Sequence, residues 1–316
     1  MKGNVIANRH NGEGDVFEFK DIEILQDIIK AGGFRAAAQK YNLSQSAISA
    51  RVSGLEKKLG MKLFDRSNRQ VRLTAAGLRF IEEAQRLSRA RDRIWQELTH
   101  PGELSGTIRI GVAETIVHTL LTDMLNKLKD DFPKVRFELS VDTSGQLGRA
   151  LDDDEVDVAI MLRESVPNGA VAAPLKPVEL GWYCAEDMEI DENPLSLNEL
   201  ASHAIVTFPK GTPPFREIES IFSAPDISQP ALNGSASLST VKYLVAGGFG
   251  LGVLPRLMVQ NSVLDEHIKP IPVCQEASLT ALHFVIAYFP ERNSEIGGAI
   301  HEAAKLFDQT DLKKRS

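Results

Sequence analysis

The segment from Phe34 to Gly77 constrains the fold of this chain more than any other stretch. It opens with good helix formers, is interrupted by a polar turn at 42–44, and continues with a second helical pattern from Gln45 to Leu59. The apolar residues of this second pattern recur at intervals of four, three and four and draw one stripe along a helix: Ile48, Val52, Leu55 and Leu59. Ser44 stands where an N-cap is expected, and Gly60 where a helix-ending glycine is expected. Two short helices joined by a tight turn predict a helix-turn-helix.

The side of the second helix opposite its apolar stripe carries short polar side chains and almost no acidic residues. After Gln45 in the first turn, the residues on this side are Ser46, Ser49, Ala50, Ser53 and Lys57. Small side chains let a helix approach base edges in a major groove about 12 Å wide, where glutamine can bind adenine through two hydrogen bonds. We therefore predict that this helix enters DNA, with Gln45, Ser46, Ser49 and Ser53 near bases or backbone and Arg51 on its flank.

A β-wing is predicted directly after this helix. Residues 62–74 are interpreted as two short strands joined by a turn at Ser67-Asn68. Arg66, Arg69 and Arg72 recur at intervals of three around that turn, a placement suited to phosphates or to a minor groove.

The whole segment resembles the LysR-type transcriptional regulators. The matching runs are Phe34-Arg35-Ala36-Ala37, Leu43-Ser44-Gln45-Ser46-Ala47-Ile48-Ser49, Leu55-Glu56-Lys57-Lys58-Leu59-Gly60, Leu63-Phe64-Asp65-Arg66 and Leu73-Thr74-Ala75-Ala76-Gly77. The resemblance implies a winged helix-turn-helix at 17–74 that binds promoter DNA, with Arg35 among the phosphate contacts. Two positions depart from the family pattern: Gly33 replaces a frequent serine, and Ala50 replaces a usual basic residue.

The charge distribution also favours a DNA-binding head. The net charge of −7 argues against nucleic acid as a partner, but residues 1–100 hold 18 basic and 12 acidic side chains. The remainder holds 18 basic and 31 acidic side chains. A basic head on an acidic body attracts DNA locally while the body is repelled from the duplex.

A long helix is predicted to follow the head. Residues 1–16 are polar and expected to be disordered, whereas 75–103 reads as one helix and a Pro101-Gly102 hinge. A heptad seam runs along this helix, interrupted by Arg91, and its dimerisation candidates are Phe80, Ala84, Leu87, Ile94 and Leu98. Packing of the seam on its own domain is the alternative. In the resembled family this linker helix joins two heads, which implies a homodimer or homotetramer.

From residue 104 onward, strand and helix patterns alternate, which predicts an α/β domain with parallel sheets. This part resembles the LysR-type effector domain, itself similar to periplasmic binding proteins, through runs such as Ile108-Arg109-Ile110-Gly111 and 244–252. The resemblance implies two lobes, 104–177 with 282–316 and 178–281, with two crossing strands between them.

Small-molecule binding is expected in the cleft between these lobes. Thr115, Thr143 and Ser144 follow strands, open helices and match family positions that line the effector cleft. Similar candidates are Thr207, Phe208 and Asn233. For each of these residues an ordinary capping role is the alternative. Glu114 disfavours a strongly anionic effector, although Arg163 or Arg216 could compensate.

Neither a catalytic constellation nor a metal or cofactor site is recognisable. The seven histidines have no metal spacing, no nucleophile elbow is present, and the glycines at 247–252 follow a helix, whereas a dinucleotide loop precedes one. Cys184 and Cys274 are expected to be reduced thiols in a cytoplasmic protein, since the chain has neither a signal core nor a membrane-length apolar run.

The predicted function is effector-controlled transcription regulation with RNA polymerase as a further partner. The alternatives are an enzyme tethered to DNA and an architectural DNA binder without an effector.

Overall fold

In a computed structural model of the chain, the described residues are 17–65, 71–99, 106–190, 193–260, 267–292 and 297–302. They form two compact units, Met1–Pro101 and Gly102–Ser316. The predicted disordered stretch 1–16 lies outside the described residues.

The first unit is a small helical head with a two-stranded wing and a long final helix. Its elements are α1 (Phe19–Lys30), α2 (Phe34–Lys40), α3 (Gln45–Leu59), β1 (Phe64–Asp65), β2 (Arg72–Leu73) and α4 (Ala75–Thr99). The strands β1 and β2 pair antiparallel, as the predicted wing requires. The wing turn at Ser67-Asn68 is outside the described residues.

The predicted bounds of the second helix are confirmed. The hydroxyl oxygen of Ser44 accepts a hydrogen bond from the Ala47 N–H, and Gly60 ends α3 with φ at 69°, in the left-handed region. Ile48, Val52 and Leu55 are buried against α1 and α2, and each such side chain contributes about 1.5–3 kcal/mol to the head. The other side of α3 is left outside the core.

The second unit contains two five-stranded mixed sheets. Lobe I has the strand order β4-β3-β5-β12-β6, formed by β3 (Gly106–Ala113), β4 (Val135–Asp142), β5 (Val158–Leu162), β6 (Val171–Pro174) and β12 (Phe284–Tyr288). Its helices are α5 (Glu114–Val117), α6 (Leu121–Asp131) and α7 (Ser144–Asp152), and residues 297–302 are also helical. The strands β4, β3 and β5 are parallel, so their carboxyl ends share one edge.

Lobe II has the strand order β11-β7-β10-β8-β9. Its strands are β7 (Leu180–Ala185), β8 (Ile205–Thr207), β9 (Leu232–Gly234), β10 (Leu251–Pro255) and β11 (Ile268–Pro270). Its helices are α8 (Leu197–Ala201), α9 (Pro213–Ile221), α10 (Leu238–Ala246) and α11 (Arg256–Gln260). The chain crosses between the lobes at Val178 and Leu282, whose backbones exchange two hydrogen bonds of 2.9 Å.

The glycine-rich run at 247–252 ends α10 and begins β10, as the sequence predicts. Gly248 has φ at 75°, where glycine is favoured, and the Phe249 N–H returns to the Leu244 carbonyl. A Cβ on Gly250 would lie 2.1 Å from the Ala204 carbonyl oxygen, so this position must stay small. The run is therefore a helix end and a close strand approach.

Candidate functional site

The outward side of α3 is the first candidate site, a surface for nucleic acid. Gln45, Ser46 and Ala50 are exposed, while Ser49 and Ser53 are half-buried. The Ser46 hydroxyl lies 2.9 Å from that of Ser44, which ties the first turn to its cap. The core beneath α3 fixes which side of the helix faces outward, and the first two turns of that side carry short side chains.

Arg51, another predicted DNA contact, forms ion pairs with two carboxylates. Its Nε donates to Asp21 Oδ1 at 2.6 Å, and its Nη2 donates to Glu18 Oε2 at 2.9 Å. Both carboxylates belong to the start of α1. The DNA contact of Arg51 therefore stays a prediction, and in this structure its exposed guanidinium joins α3 to α1.

Two of the remaining predicted phosphate contacts, Arg35 and Arg72, lie within the described residues. Arg35 is exposed at the start of α2, and Arg72 is exposed on β2 of the wing. Arg66 and Arg69 lie outside the described residues.

The predicted dimerisation seam divides into two parts along α4. Phe80 packs edge-on against the ring of Phe17, with centroids 5.4 Å apart, and Ala84 is buried. These two residues therefore belong to the core side of their own head. In contrast, Leu87, Ile94 and Leu98 are exposed, by 44%, 57% and 75%. The guanidinium of Arg91, which interrupts the seam, lies 4.6 Å from the centre of the Phe19 ring on α1.

The second candidate site is a cavity of about 710 Å³ between the lobes of the second unit. Three strand ends of lobe I open into it: Glu114 and Thr115 follow β3, Thr143 and Ser144 follow β4, and Glu164 follows β5. Ala113 and Asp142 are paired in the sheet, so the first two strand ends lie side by side. This is the strand edge at which open α/β sheets bind ligands.

The lobe II wall of the cavity is built from the loop after β8 and the starts of two helices. Phe208, Lys210 and Thr212 line it, followed by Pro213 and Arg216 of α9. The guanidinium of Arg216 donates to the Gly211 carbonyl at 2.5 Å. Apolar side chains from both lobes and the crossing segment complete the lining: Leu162, Leu238, Leu282 and Phe284.

Four of the six predicted effector residues line this cavity, namely Thr115, Thr143, Ser144 and Phe208. The Ser144 hydroxyl is already occupied, because it accepts the Leu162 N–H at 3.0 Å. Thr207 and Asn233 do not line it, so their predicted position is corrected. Thr207 is fully buried at the end of β8, and Asn233 Nδ2 donates to the Ala231 carbonyl at 3.1 Å.

Several lining residues were not predicted: Asp142, Arg149, Lys210 and Thr212. For Lys210 and Thr212 the sequence contains a pattern that could have predicted this position. Thr212 followed by two prolines is a helix start, because proline is tolerated at the first helical position, and that start follows a strand. Arg163 was a candidate compensating charge, but it does not line the cavity.

One polar contact joins the two lobes at this site. The Nε2 atom of His118, which follows α5, lies 3.2 Å from the Ser239 hydroxyl on α10 and 3.5 Å from Glu114 Oε1. The cavity thus has a carboxylate on one wall that is connected to the opposite wall through one imidazole.

Neither cysteine lines the cavity. Cys184 is fully buried in β7, where burial raises the pKa of its thiol, and Cys274 is half-buried. Within the described ranges, no cluster of histidine, cysteine and carboxylate side chains could hold a metal ion. No helix in the described part of the chain has both the length and the apolar character to cross a membrane.

Two solved full-length regulators share this architecture. CbnR in complex with its target DNA has a TM-score of 0.70 and 19% identity, covering 92% of this chain and 99% of that one. A full-length OxyR variant from Pseudomonas aeruginosa has a TM-score of 0.65 and 20% identity, covering 92% and 95%.

Sequence comparison gives relatives that match about three quarters or more of this chain. A hydrogen peroxide-inducible genes activator from Dickeya chrysanthemi is 26% identical over 256 residues, which is 80% of this chain and 84% of that protein. The dual regulator OxyR from Escherichia coli K12 is 26% identical over 244 residues, or 76% and 79%.

Two family profiles match the two units. The profile of the bacterial regulatory helix-turn-helix protein, lysR family, matches residues 19–78, and that of the LysR substrate binding domain matches residues 101–295. LysR regulators bind promoter DNA and small-molecule effectors, form oligomers, and are not enzymes. The chain therefore belongs to the LysR family of DNA-binding transcription regulators, with an N-terminal helix-turn-helix and a C-terminal effector-binding domain.

Proposed function

We propose that α3 reads promoter DNA through Gln45, Ser46, Ser49 and Ser53, and that Arg35, Arg66, Arg69 and Arg72 hold phosphates. The observation that carries this proposal is the outward side of α3, whose side chains are polar and short and lie opposite the buried Ile48, Val52 and Leu55. A helix with this side in a major groove brings its first two turns close to base edges. The chain would act in the cytoplasm, where promoter DNA is available.

Substitutions on α3 and on the wing distinguish contacts to bases from contacts to phosphates. Gln45→Ala removes a base-edge contact, so we expect it to relax sequence preference with little change in binding to random DNA. Arg72→Ala and Arg69→Ala remove phosphate contacts. We expect each substitution to weaken binding to all duplexes by the same factor and to lower the slope of log Kd against log salt by about 1. Anisotropy titrations with cognate and random duplexes test this, and equal effects of all three variants on both duplexes would contradict the roles.

The cavity supports binding of a small organic effector that carries both charges. Lobe I presents three carboxylates, those of Glu114, Asp142 and Glu164, and one guanidinium, that of Arg149, while lobe II presents Lys210 and Arg216. A cationic group facing lobe I and an anionic group facing lobe II would be stabilised at once, and the ligand would hold the lobes together. The buried apolar residues Leu162, Phe208 and Phe284 suit the body of such a molecule.

A thermal-shift screen of zwitterionic, anionic and cationic metabolites tests this effector class. A ligand that binds only the folded state raises the melting temperature according to its concentration over its Kd. We expect zwitterions to give the largest shifts, and Glu114→Gln to reduce them. Glu179→Gln, at an exposed carboxylate outside the cavity lining, is the matched control. Stabilisation by dianions alone would contradict the charge assignment, and no stabilisation by any metabolite would favour an architectural binder.

Effector binding would change the contact with the promoter through the oligomer. Leu87, Ile94 and Leu98 support pairing of two α4 helices, which would place two heads on one operator. A change in lobe closure would then change the spacing of the heads, the bend of the DNA and the access of RNA polymerase. Footprinting with and without effector tests this step, because it predicts a change in the length of the protected region.

A further inference from the structure

A row of three polar side chains crosses from one lobe to the other beside the effector cavity. Glu114 lines the cavity on lobe I, and its Oε1 lies 3.5 Å from Nε2 of His118. The same Nε2 lies 3.2 Å from the hydroxyl of Ser239, which belongs to α10 of lobe II. The main chain joins the lobes at Val178 and Leu282, whereas this row joins them through side chains that a ligand in the cavity can reach.

The lobe I half of this row is fixed by the short helix α5. Glu114 and His118 are four residues apart and therefore lie on the same side of a helical turn. The His118 N–H donates to the Glu114 carbonyl at 3.3 Å, which joins the two residues through the backbone as well. Thr115 and Ile116 of the same turn are buried, so α5 is anchored in lobe I.

The lobe II end of the row is fixed by the first turn of α10. The Ser237 hydroxyl oxygen accepts the N–H of Thr240 and caps the helix, while the buried Leu238 sets its inward side. Ser239 therefore lies on the exposed side of this turn, where its hydroxyl meets His118. Because Leu238 also lines the cavity, this contact is directly beside the cavity wall.

The two neighbours of Nε2 determine which form of the imidazole is stabilised. A carboxylate only accepts hydrogen bonds, so Glu114 attracts an Nε2 that carries its hydrogen and repels a bare one. The Nε2–H can then donate to the Ser239 hydroxyl oxygen, which is the nearer of the two partners. The His118 and Glu114 side chains are 26% and 21% exposed, so water screens their attraction only in part. The charge of Glu114 therefore strengthens the hydrogen bond between the lobes.

We infer that Glu114, His118 and Ser239 form an interlobe latch, which holds the lobes together without an effector and weakens when the charge of Glu114 is neutralised. The last step rests on the proposed function of the cavity, in which a cationic group of the effector pairs with Glu114. Such a group would reduce the hold of the carboxylate on Nε2–H, and the effector would replace the latch as the link between the lobes. The latch thereby connects the charge of the ligand on lobe I to α10 of lobe II.

Hydrogen exchange of the ligand-free, full-length protein tests the latch without any effector. His118→Leu and Ser239→Ala each remove one partner, so we expect the amides of 113–119 and 236–243 to exchange about three- to tenfold faster, as loss of one hydrogen bond implies. The double variant should exchange no faster than either single variant, because both substitutions remove the same contact. Thr240→Ala, the next residue of α10, is the matched control and should exchange like the wild type. Unchanged exchange in both single variants, or additive effects in the double variant, would overturn the latch.

Conservative substitutions distinguish the latch from a structural role of the same residues. His118→Gln keeps an N–H donor near the position of Nε2, so its exchange should stay close to that of the wild type. Equal exchange in His118→Gln and His118→Leu would overturn the donor role of the imidazole.

Glu114→Gln imitates neutralisation by a bound cation, because it keeps the shape of the side chain and removes its charge. We expect faster exchange of 236–243 on lobe II, although the substitution lies on lobe I. Unchanged exchange of 236–243 in this variant would overturn the role of the carboxylate in the latch.

Footprinting of His118→Leu on promoter DNA distinguishes this inference from the proposed function. Faster exchange of 236–243 together with a changed length of the protected region would support both. Faster exchange with an unchanged footprint would support the latch and contradict the proposed effect of lobe closure on the spacing of the heads.

Discussion

The buried carboxylate of Glu56 accepts a hydrogen bond from the backbone N–H of Leu63 at 2.9 Å and a second from that of Phe64 at 3.2 Å. Its other oxygen is 2.9 Å from the Lys62 ammonium, which is largely exposed. One side chain of α3 therefore fixes the start of the wing. The orientation of the wing relative to α3 depends on this contact.

Glu56→Ala should destabilise the head by about 3 kcal/mol, because it leaves two buried N–H groups without an acceptor. Hydrogen exchange of the backbone amides of 45–65 in the full-length protein measures this local loss. Lys62→Ala is the matched control, since removing only the exposed partner should cost less than about 1 kcal/mol. Equal protection in wild type and Glu56→Ala would contradict the contact.

The same carboxylate predicts acid sensitivity of the head. Burial raises the pKa of Glu56, but the Lys62 ammonium and the two backbone N–H groups outweigh that effect, so its pKa lies below the ordinary value of 4.5. A lowered pKa in the folded state stabilises the fold above the unfolded pKa, and this stability is lost as pH falls through the folded pKa. Head stability should therefore decrease below about pH 4.5. In the Glu56→Gln variant this decrease in head stability at low pH should be smaller than in the wild type. An identical decrease in both proteins would show that other titratable groups cause it.

The exposed part of the α4 seam should control oligomeric state. Leu98→Glu places a charge on a side chain that is 75% exposed in the single chain, so folding should be unaffected while pairing of two helices is weakened. Sedimentation velocity should show dissociation to monomers at concentrations where the wild type is an oligomer. Glu82→Lys, on the opposite side of α4, is the control and should sediment like the wild type. An unchanged Leu98→Glu oligomer would place the contact elsewhere.

The response to peroxide should differ from what the names of several relatives suggest. Those relatives are called hydrogen peroxide-inducible genes activators, whereas the cavity of this chain is not lined by either cysteine. Reactive thiols need thiolate character and access, and Cys184 has neither, since burial raises its pKa. DNA affinity of the reduced protein should be unchanged by a stoichiometric excess of hydrogen peroxide. A change that is abolished by Cys184→Ser or Cys274→Ser would reveal a thiol switch.

Local patterns in the sequence were sufficient for most of the fold. The stripe at Ile48, Val52 and Leu55, with Ser44 before it and Gly60 after it, defined the bounds of α3, because caps and periodicity are properties of adjacent residues. The alternation of strands and helices likewise predicted the α/β character of the second unit.

Relationships between distant residues were not predictable in this way. Arg51 is 30 residues from Asp21, so no pattern along α3 indicates that its guanidinium is engaged. The mixed-charge cavity also combines Asp142 with Lys210, which only the folded lobes bring together. The place of Thr207 outside the cavity lining was not predictable for a related reason, because the pattern identifies the strand end but not the face to which its last side chain points.

Binding of the purified protein to the DNA upstream of its own gene, at about 0.15 M salt, tests the central claim most directly. The claim that α3 reads bases predicts that this duplex binds at least about 10³-fold more tightly than a scrambled duplex of equal length and composition. It also predicts that Gln45→Ala reduces the ratio of the affinities for these two duplexes. Equal affinity of the wild-type protein for both duplexes would contradict the assignment of α3 as the reading helix.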